Sequence, residues 1–161
     1  MPHDSRAFRN ALGHFATGVC VVTTQGPDGE AVGVTVNSFA SVSLDPPLVL
    51  WSLDRSSDRF AVFMTMDHFC INVLDAKAQH LSHRLSRKGE RSVAPEPCAK
   101  GTTQLPILKD ALAHFECHVE ARHDGGDHVI FVGRVLSFDH KNDGDPLLYY
   151  RGRYRALSGE S

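Results

Sequence analysis

The sequence predicts a mainly β protein, an antiparallel barrel with a few flanking helices. Three observations carry this expectation. Apolar, β-branched runs recur along the chain, roughly six or seven of them at irregular spacing, and turn-forming residues separate several. Only three stretches space their apolar residues as a helix does, too few for the strand–helix alternation that a parallel sheet requires. Neither a GxGxxG fingerprint after the first strand nor a P-loop is present, so a doubly wound nucleotide-binding fold is excluded.

Taken in order, residues 5–16 place Phe8, Ala11, Leu12 and Phe15 three and four apart behind Asp4 or Ser5 as cap, which predicts an amphipathic helix that Gly18 breaks. Val19-Cys20-Val21-Val22-Thr23-Thr24 has the composition of a buried strand. Turn chemistry over residues 25–29 sends the chain back through a second strand at 31–36, so the two should pair antiparallel. Residues 41–44 lead into Pro46 and Pro47, whose fixed φ and missing donors make a rigid kink before an apolar strand at 48–53. A loop over 54–58 precedes a helical stretch at 59–64, and residues 68–74 form another strand.

Ala78, Leu81 and Leu85 mark a helix between residues 75 and 91 that ends near Gly89. Residues 92–104, with Pro95 and Pro97 and little periodicity, read as a loop. Over 113–121 the chain alternates, with Phe115, Cys117, Val119 and Ala121 facing one way and Glu116, His118 and Glu120 the other, a half-buried strand. Asp124-Gly125-Gly126-Asp127 is a tight turn into a strand at 128–138, and residues 147–150 follow a further Gly-Asp turn.

At 161 residues the chain suits one domain spanning residues 1–161. With 42% hydrophobic and 22% charged residues it reads as an ordinary soluble protein. A formal net charge of −2 supplies no field for gripping a phosphate backbone, so no nucleic-acid partner is expected. No window approaches about 18 uninterrupted apolar residues, and the start, Met1-Pro2-His3-Asp4-Ser5-Arg6, lacks the apolar core of a secretion signal. The expected location is the cytoplasm, with no membrane partner. There Cys20, Cys70, Cys98 and Cys117 remain thiols, and neither they nor the ten histidines fall into a metal-ligand spacing, so no metal is expected.

Three segments carry more polar chemistry than folding asks for. Thr35-Val36-Asn37-Ser38 sets hydrogen-bonding side chains at the end of an apolar strand, where they suit a flat heterocycle or bonds to the local backbone. Arg55-Ser56-Ser57-Asp58-Arg59 flanks two hydroxyls with two arginines ahead of a helix, which reads as a phosphate cup or as a solvated cap. His128 sits where a hairpin enters the longest apolar strand.

In this setting the chain resembles the flavin reductase family, the reductase components of two-component flavin-dependent monooxygenases. The matching stretches are Phe8-Arg9-x-Ala11-Leu12-Gly13-x-Phe15-Ala16-Thr17-Gly18-Val19, Gly33-x-Thr35-x-Asn37-Ser38-Phe39-x-Ser41-Val42-Ser43-x-Asp45-Pro46-Pro47-Leu48, Phe69-x-Ile71-Asn72-Val73-Leu74, Gly126-Asp127-His128-x-Ile130 and Pro146-Leu147-Leu148-Tyr149-Tyr150-Arg151-Gly152-x-Tyr154. They run in order along nearly the whole chain.

The resemblance implies an FMN-binding split barrel of Greek-key type that transfers hydride from NADH or NADPH to FMN or FAD and supplies a partner monooxygenase. It implies that Thr35, Val36, Asn37 and Ser38 border the flavin ring, and that Ser52, Leu53, Asp54, Arg55, Ser56, Ser57 and Arg59 follow the ribityl chain and phosphate, with Asn72 nearby. His128 then faces the nicotinamide as the catalytic residue, Arg151 and Tyr154 close the cleft, and the assembly is a homodimer. Two positions depart from the family pattern: Ser92 stands where relatives often carry an aromatic, and Asp58 puts a negative charge beside the presumed phosphate. Alternatives within the same barrel are an oxidase of the pyridoxamine-phosphate type and a non-catalytic flavin- or haem-binding module.

Overall fold

The structure, a computed structural model, describes residues 4–158; residues 1–3, part of the start inspected above for a secretion signal, lie outside them. The elements are α1 (Ser5–Leu12), β1 (Thr17–Gly18), β2 (Cys20–Gln25), β3 (Ala31–Val36), β4 (Ala40–Leu44), β5 (Pro47–Asp54), α2 (Phe60–Thr65) and β6 (His68–Val73). A 3-10 turn (Ala76–Ala78) follows and runs into α3 (Gln79–Leu85). The chain then forms β7 (Cys98–Lys100), β8 (Pro106–Leu108), β9 (Ala113–Gly125), β10 (His128–His140), β11 (Leu148–Tyr150) and β12 (Arg153–Arg155).

Seven strands form one antiparallel sheet in the order β3-β2-β6-β9-β10-β5-β4. The sheet curls until β3, at one end, meets β5, the strand next to the other end: Ser38, just beyond β3, accepts the Ser52 N–H of β5 at 2.9 Å and donates to the Ser52 carbonyl at 3.2 Å. Inside the barrel, Trp51 stacks on Phe131 at 4.6 Å and meets Phe63 of α2 at 5.1 Å, in a core that includes Val22, Phe69 and Ile71. A second core lies outside the sheet, where Val19 and Val21 pack with Leu81, Leu85, Val93, Leu108 and Leu147. With apolar neighbours on both faces, β2 reads as an unbroken apolar run because burial, not alternation, is the demand on it.

The predicted antiparallel barrel is present, and several local expectations need correction. The first helix stops at Leu12 and buries none of its residues; Phe8 and Leu12 are 54% and 57% exposed. The helix expected to reach Gly89 ends at Leu85. The loop expected over 92–104 contributes β7, which pairs with β8. Glu116, assigned to the solvent side of β9, is 1% exposed because residues 101–103 fold over it. The short β12 was not anticipated; with β11 and β1 it makes a separate three-stranded sheet.

Candidate functional site

Where β3 ends, the side chains stop being apolar, and the space beside them stays open. Three cavities adjoin there and share lining residues. One of about 380 Å³ is lined by Thr35, Val36, Asn37, Ser38, Ser52, Leu53, Asp54, Ser56, Ser57, Asp58, Arg59, Ser86, Lys88 and His128. Another of about 350 Å³ joins Thr35, Val36 and Asn37 to Ser82, Tyr149 and Tyr154. The largest, about 850 Å³, runs under α1 past Arg9, His14, Phe15 and Thr17 to Arg151, and meets the first at Asn37 and His128. Asn37 borders all three.

The sequence-predicted site residues divide by what their polar atoms are doing. Thr35 donates its hydroxyl to the Ser82 carbonyl at 2.7 Å, and the Ser82 hydroxyl lies 2.7 Å from that of Tyr154, so these groups tie α3 and β12 to the end of β3. Ser38 is spent on Ser52, as described. Asn37 is exposed and has no hydrogen bond among the described residues. Asp54 and Ser56 line the cavity together; the amide and hydroxyl of Ser56 hold the Asp54 carboxyl below its ordinary range against the opposing effect of burial, with a lesser contribution from nearby His128.

His128 pairs with Asp54 across β10 and β5 and keeps 42% of its side chain exposed. Its Nδ1 lies 2.7 Å from Asp127 Oδ1. A carboxylate only accepts, so Nδ1 carries the shared proton and Nε2 is left available at the seam between the cavities. Arg151 borders the largest cavity from a hairpin tip, where it adopts φ +52, a conformation few residues other than glycine take readily.

Three expectations fail on geometry. Asn72 does not reach the cleft. It is wholly buried in β6, donates to Val21 O, Thr23 Oγ1 and Cys70 O and accepts from Leu108 N, so it joins strands rather than meeting a ligand. Arg55 turns to the β9–β10 hairpin, where it binds Asp124 and the Gly126 carbonyl beside the Phe60 ring, and it lines none of the three cavities. Arg59 borders the first cavity but is 3% exposed, with donors taken by Gly33 O, Leu85 O, Glu90 O and Asp58. The helix behind these residues has only six residues, with no side-chain cap bond at its start, and offers no anion cup.

Sequence reasoning missed Lys88, Ser86, Arg9, His14 and Tyr149, all of which line the cleft. Tyr149 and Arg9 lay within quoted motifs; Lys88, Ser86 and His14 sit just past helix ends, where basic and small polar residues are unremarkable.

The arrangement fits two flat ring systems laid against each other. The cavity volumes suit a cofactor-sized molecule, apolar walls from Val36, Leu53 and Tyr149 alternate with single polar groups, and Thr17 Oγ1, bordering the largest cavity, is buried without a partner among the described residues. Among the described residues no hydrogen-bonded nucleophile–base pair stands in it, and what lines it can bind and orient.

Comparison with known proteins agrees with this chemistry. The profile of the family described as flavin reductase like domain matches residues 12–158. The chain is 50% identical over 155 residues to an FMN reductase (NADH) of Agrobacterium fabrum, an alignment covering 96% of this chain and 87% of that protein. It is 40% identical over 154 residues to the reductase subunit of a flavin-dependent monooxygenase of Rhodococcus jostii, covering 96% and 78% respectively. Among solved structures, the NADH:FAD oxidoreductase of Streptomyces globisporus in complex with NAD and FAD fragments superposes with a TM-score of 0.92 at 31% identity, over 100% of this chain and 97% of that one.

Proposed function

Because the chain belongs to the flavin reductase-like domain family, we propose that it is an NAD(P)H:flavin oxidoreductase, one domain along its length, that supplies reduced flavin to a partner flavin-dependent monooxygenase. The observation that carries the reading is the seam at Asn37 and His128, where two cavities large enough for two nucleotides meet edge to edge. NADH is the preferred donor in this proposal, in keeping with the Agrobacterium FMN reductase (NADH) at 50% identity; FMN and FAD both suit the cleft.

Bound flavin supplies a ring that accepts a hydride. The protein's own residues do the rest. Thr35, Val36, Asn37 and Ser38 border the ring, with Asn37 offering both a donor and an acceptor; Ser52, Leu53, Asp54, Ser56 and Ser57 follow the ribityl chain. His128, fixed by Asp127, orients the dihydronicotinamide through Nε2, and Arg151 and Tyr154 close the cleft. Holding donor carbon and acceptor nitrogen about 3 to 3.5 Å apart accelerates transfer by orientation, without a protein nucleophile.

Anaerobic mixing of protein, FMN and NADH, followed by bleaching of the flavin absorbance, tests this directly. The parent bleaches flavin. His128→Ala does so about one to two decades more slowly, roughly 1.4 to 2.7 kcal/mol, with flavin affinity held within about twofold. A parent that leaves flavin oxidised removes the proposed activity, and a variant as fast as the parent removes the role of His128.

We also propose a cytoplasmic homodimer. The four cysteines are free thiols, as a reducing compartment keeps them. The edge of β10 continues past its last β5 partner, Arg134, carrying Leu136 and Phe138 at 49% and 67% exposure, and edge strand β4 offers Val42 and Leu44. A second copy covering these residues gives a mass of two chains by light scattering; a single-chain mass at micromolar concentration removes the dimer.

A further inference from the structure

We infer that Lys88 is the cation that engages the phosphate of the bound flavin, an inference resting on the flavin site proposed above. Neither of the two arginines expected to do this is exposed to the cavity with its donors free. Arg55 is paired with Asp124 outside the cavity, and Arg59 is buried with its donors on three backbone carbonyls and Asp58. Among the residues lining the first cavity only Arg59 and Lys88 carry a fixed positive charge, and Lys88 is exposed with no hydrogen bond or ion pair among the described residues.

Its position is built rather than incidental. Asp58 Oδ1 accepts Arg59 Nη1 at 2.8 Å and Oδ2 accepts the Gly89 N–H at 2.6 Å. Burial pushes the Asp58 carboxyl up, but the Gly89 amide and the Arg59 charge outweigh it and the net shift is downward, so the group stays ionised in place. The carboxylate that stood as an obstacle to an anion is thereby occupied, and it anchors the turn after α3. Gly89 takes φ +86 there, which a side chain would resist, and Lys88 is set at the mouth of the cavity next to it.

Ser56 and Ser57 line the same cavity. Ser57 Oγ accepts the Arg59 N–H at 3.2 Å, which leaves its own hydroxyl proton to donate. Lysine serves a phosphate as a flexible point charge with three donors, and it requires no bidentate geometry. With Asp54 and Asp58 both in the lining, Lys88 is what makes this mouth hospitable to a dianion.

Riboflavin, which lacks the phosphate, separates this role from ring binding. Titrating the parent, Lys88→Gln and Lys88→Arg with FMN and with riboflavin, Lys88→Gln should weaken FMN about tenfold and leave riboflavin within about twofold, while Lys88→Arg stays close to the parent. The inference is overturned if Lys88→Gln binds FMN as the parent does, or if it loses both flavins equally, which would mark a role in turn shape. A parent that binds FMN and riboflavin equally overturns Lys88 alone and leaves the reductase reading standing; a parent that binds neither overturns both.

Discussion

Two asparagines one barrel strand apart show how this protein separates building from binding. Asn72, in β6, is wholly buried, and its donors and acceptor are all taken by β2, by β6 itself and by Leu108 of β8. Asn37, just past β3, is exposed, borders three cavities and has no partner in the described protein. The same contrast holds for the charged groups. Arg59 and Glu116 are buried and held by several partners each; Lys88 and the Nε2 of His128 are unspent. A saturated polar group in low dielectric fixes the chain, whereas an unsaturated one at a cavity wall is free to meet water or a ligand.

Replacing each asparagine by leucine is the sharpest way to break that contrast. Asn72→Leu strands the Leu108 N–H in the core, at a cost of about 3 kcal/mol, which for a domain of this size lowers the melting temperature by roughly 10 °C. Below its transition the variant should bind flavin as the parent does. Asn37→Leu reverses the pattern: the melting temperature of the flavin-free protein moves by no more than about 2 °C, while flavin affinity falls about tenfold, close to 1.4 kcal/mol. Calorimetry and a flavin titration on the same two proteins check both halves. If Asn72→Leu weakens flavin without destabilising the fold, the division drawn here is wrong.

The contrast also explains what could be read from the sequence. The strands were legible because β-branched runs and turn residues report local conformation directly, as at Val19-Cys20-Val21-Val22 and Asp124-Gly125-Gly126-Asp127. Asn37 was legible because a polar residue at the end of an apolar strand marks a change of environment. The family resemblance placed Asn72 near the site, and the look of a phosphate cup added Arg59; sequence names a residue's donors but not their partners, which lie tens of positions away at Val21, Leu108, Gly33 and Leu85. Lys88 was passed over for the converse reason: a lysine before a glycine at a helix end is ordinary, and its importance depends on Asp58 reaching Gly89 from another loop.

Glu116 offers the smallest and most local test of the saturated half. The period-two pattern put it opposite Cys117 on the solvent side of β9, yet it is buried there, since nothing local reveals that residues 101–103 close over it. Gly101 lies so close that a Cβ there would overlap the carboxylate. Burial by itself raises the Glu116 pKa. The Thr103 hydroxyl and amide, the Thr102 amide and the charge of His114 outweigh that, and the net shift is downward. A carboxylate with a lowered folded pKa adds stability that is fully present above its unfolded value, about 4.3, and is lost as pH falls through the folded one. Glu116→Gln removes that contribution at every pH. The parent should therefore melt higher than Glu116→Gln from neutral pH down to about 5, and the gap should narrow as the pH drops below about 4. Thermal melts across that range read it out. A gap that stays constant to the acid limit would mean that shape alone, and not the buried charge, holds the 101–103 loop against the sheet.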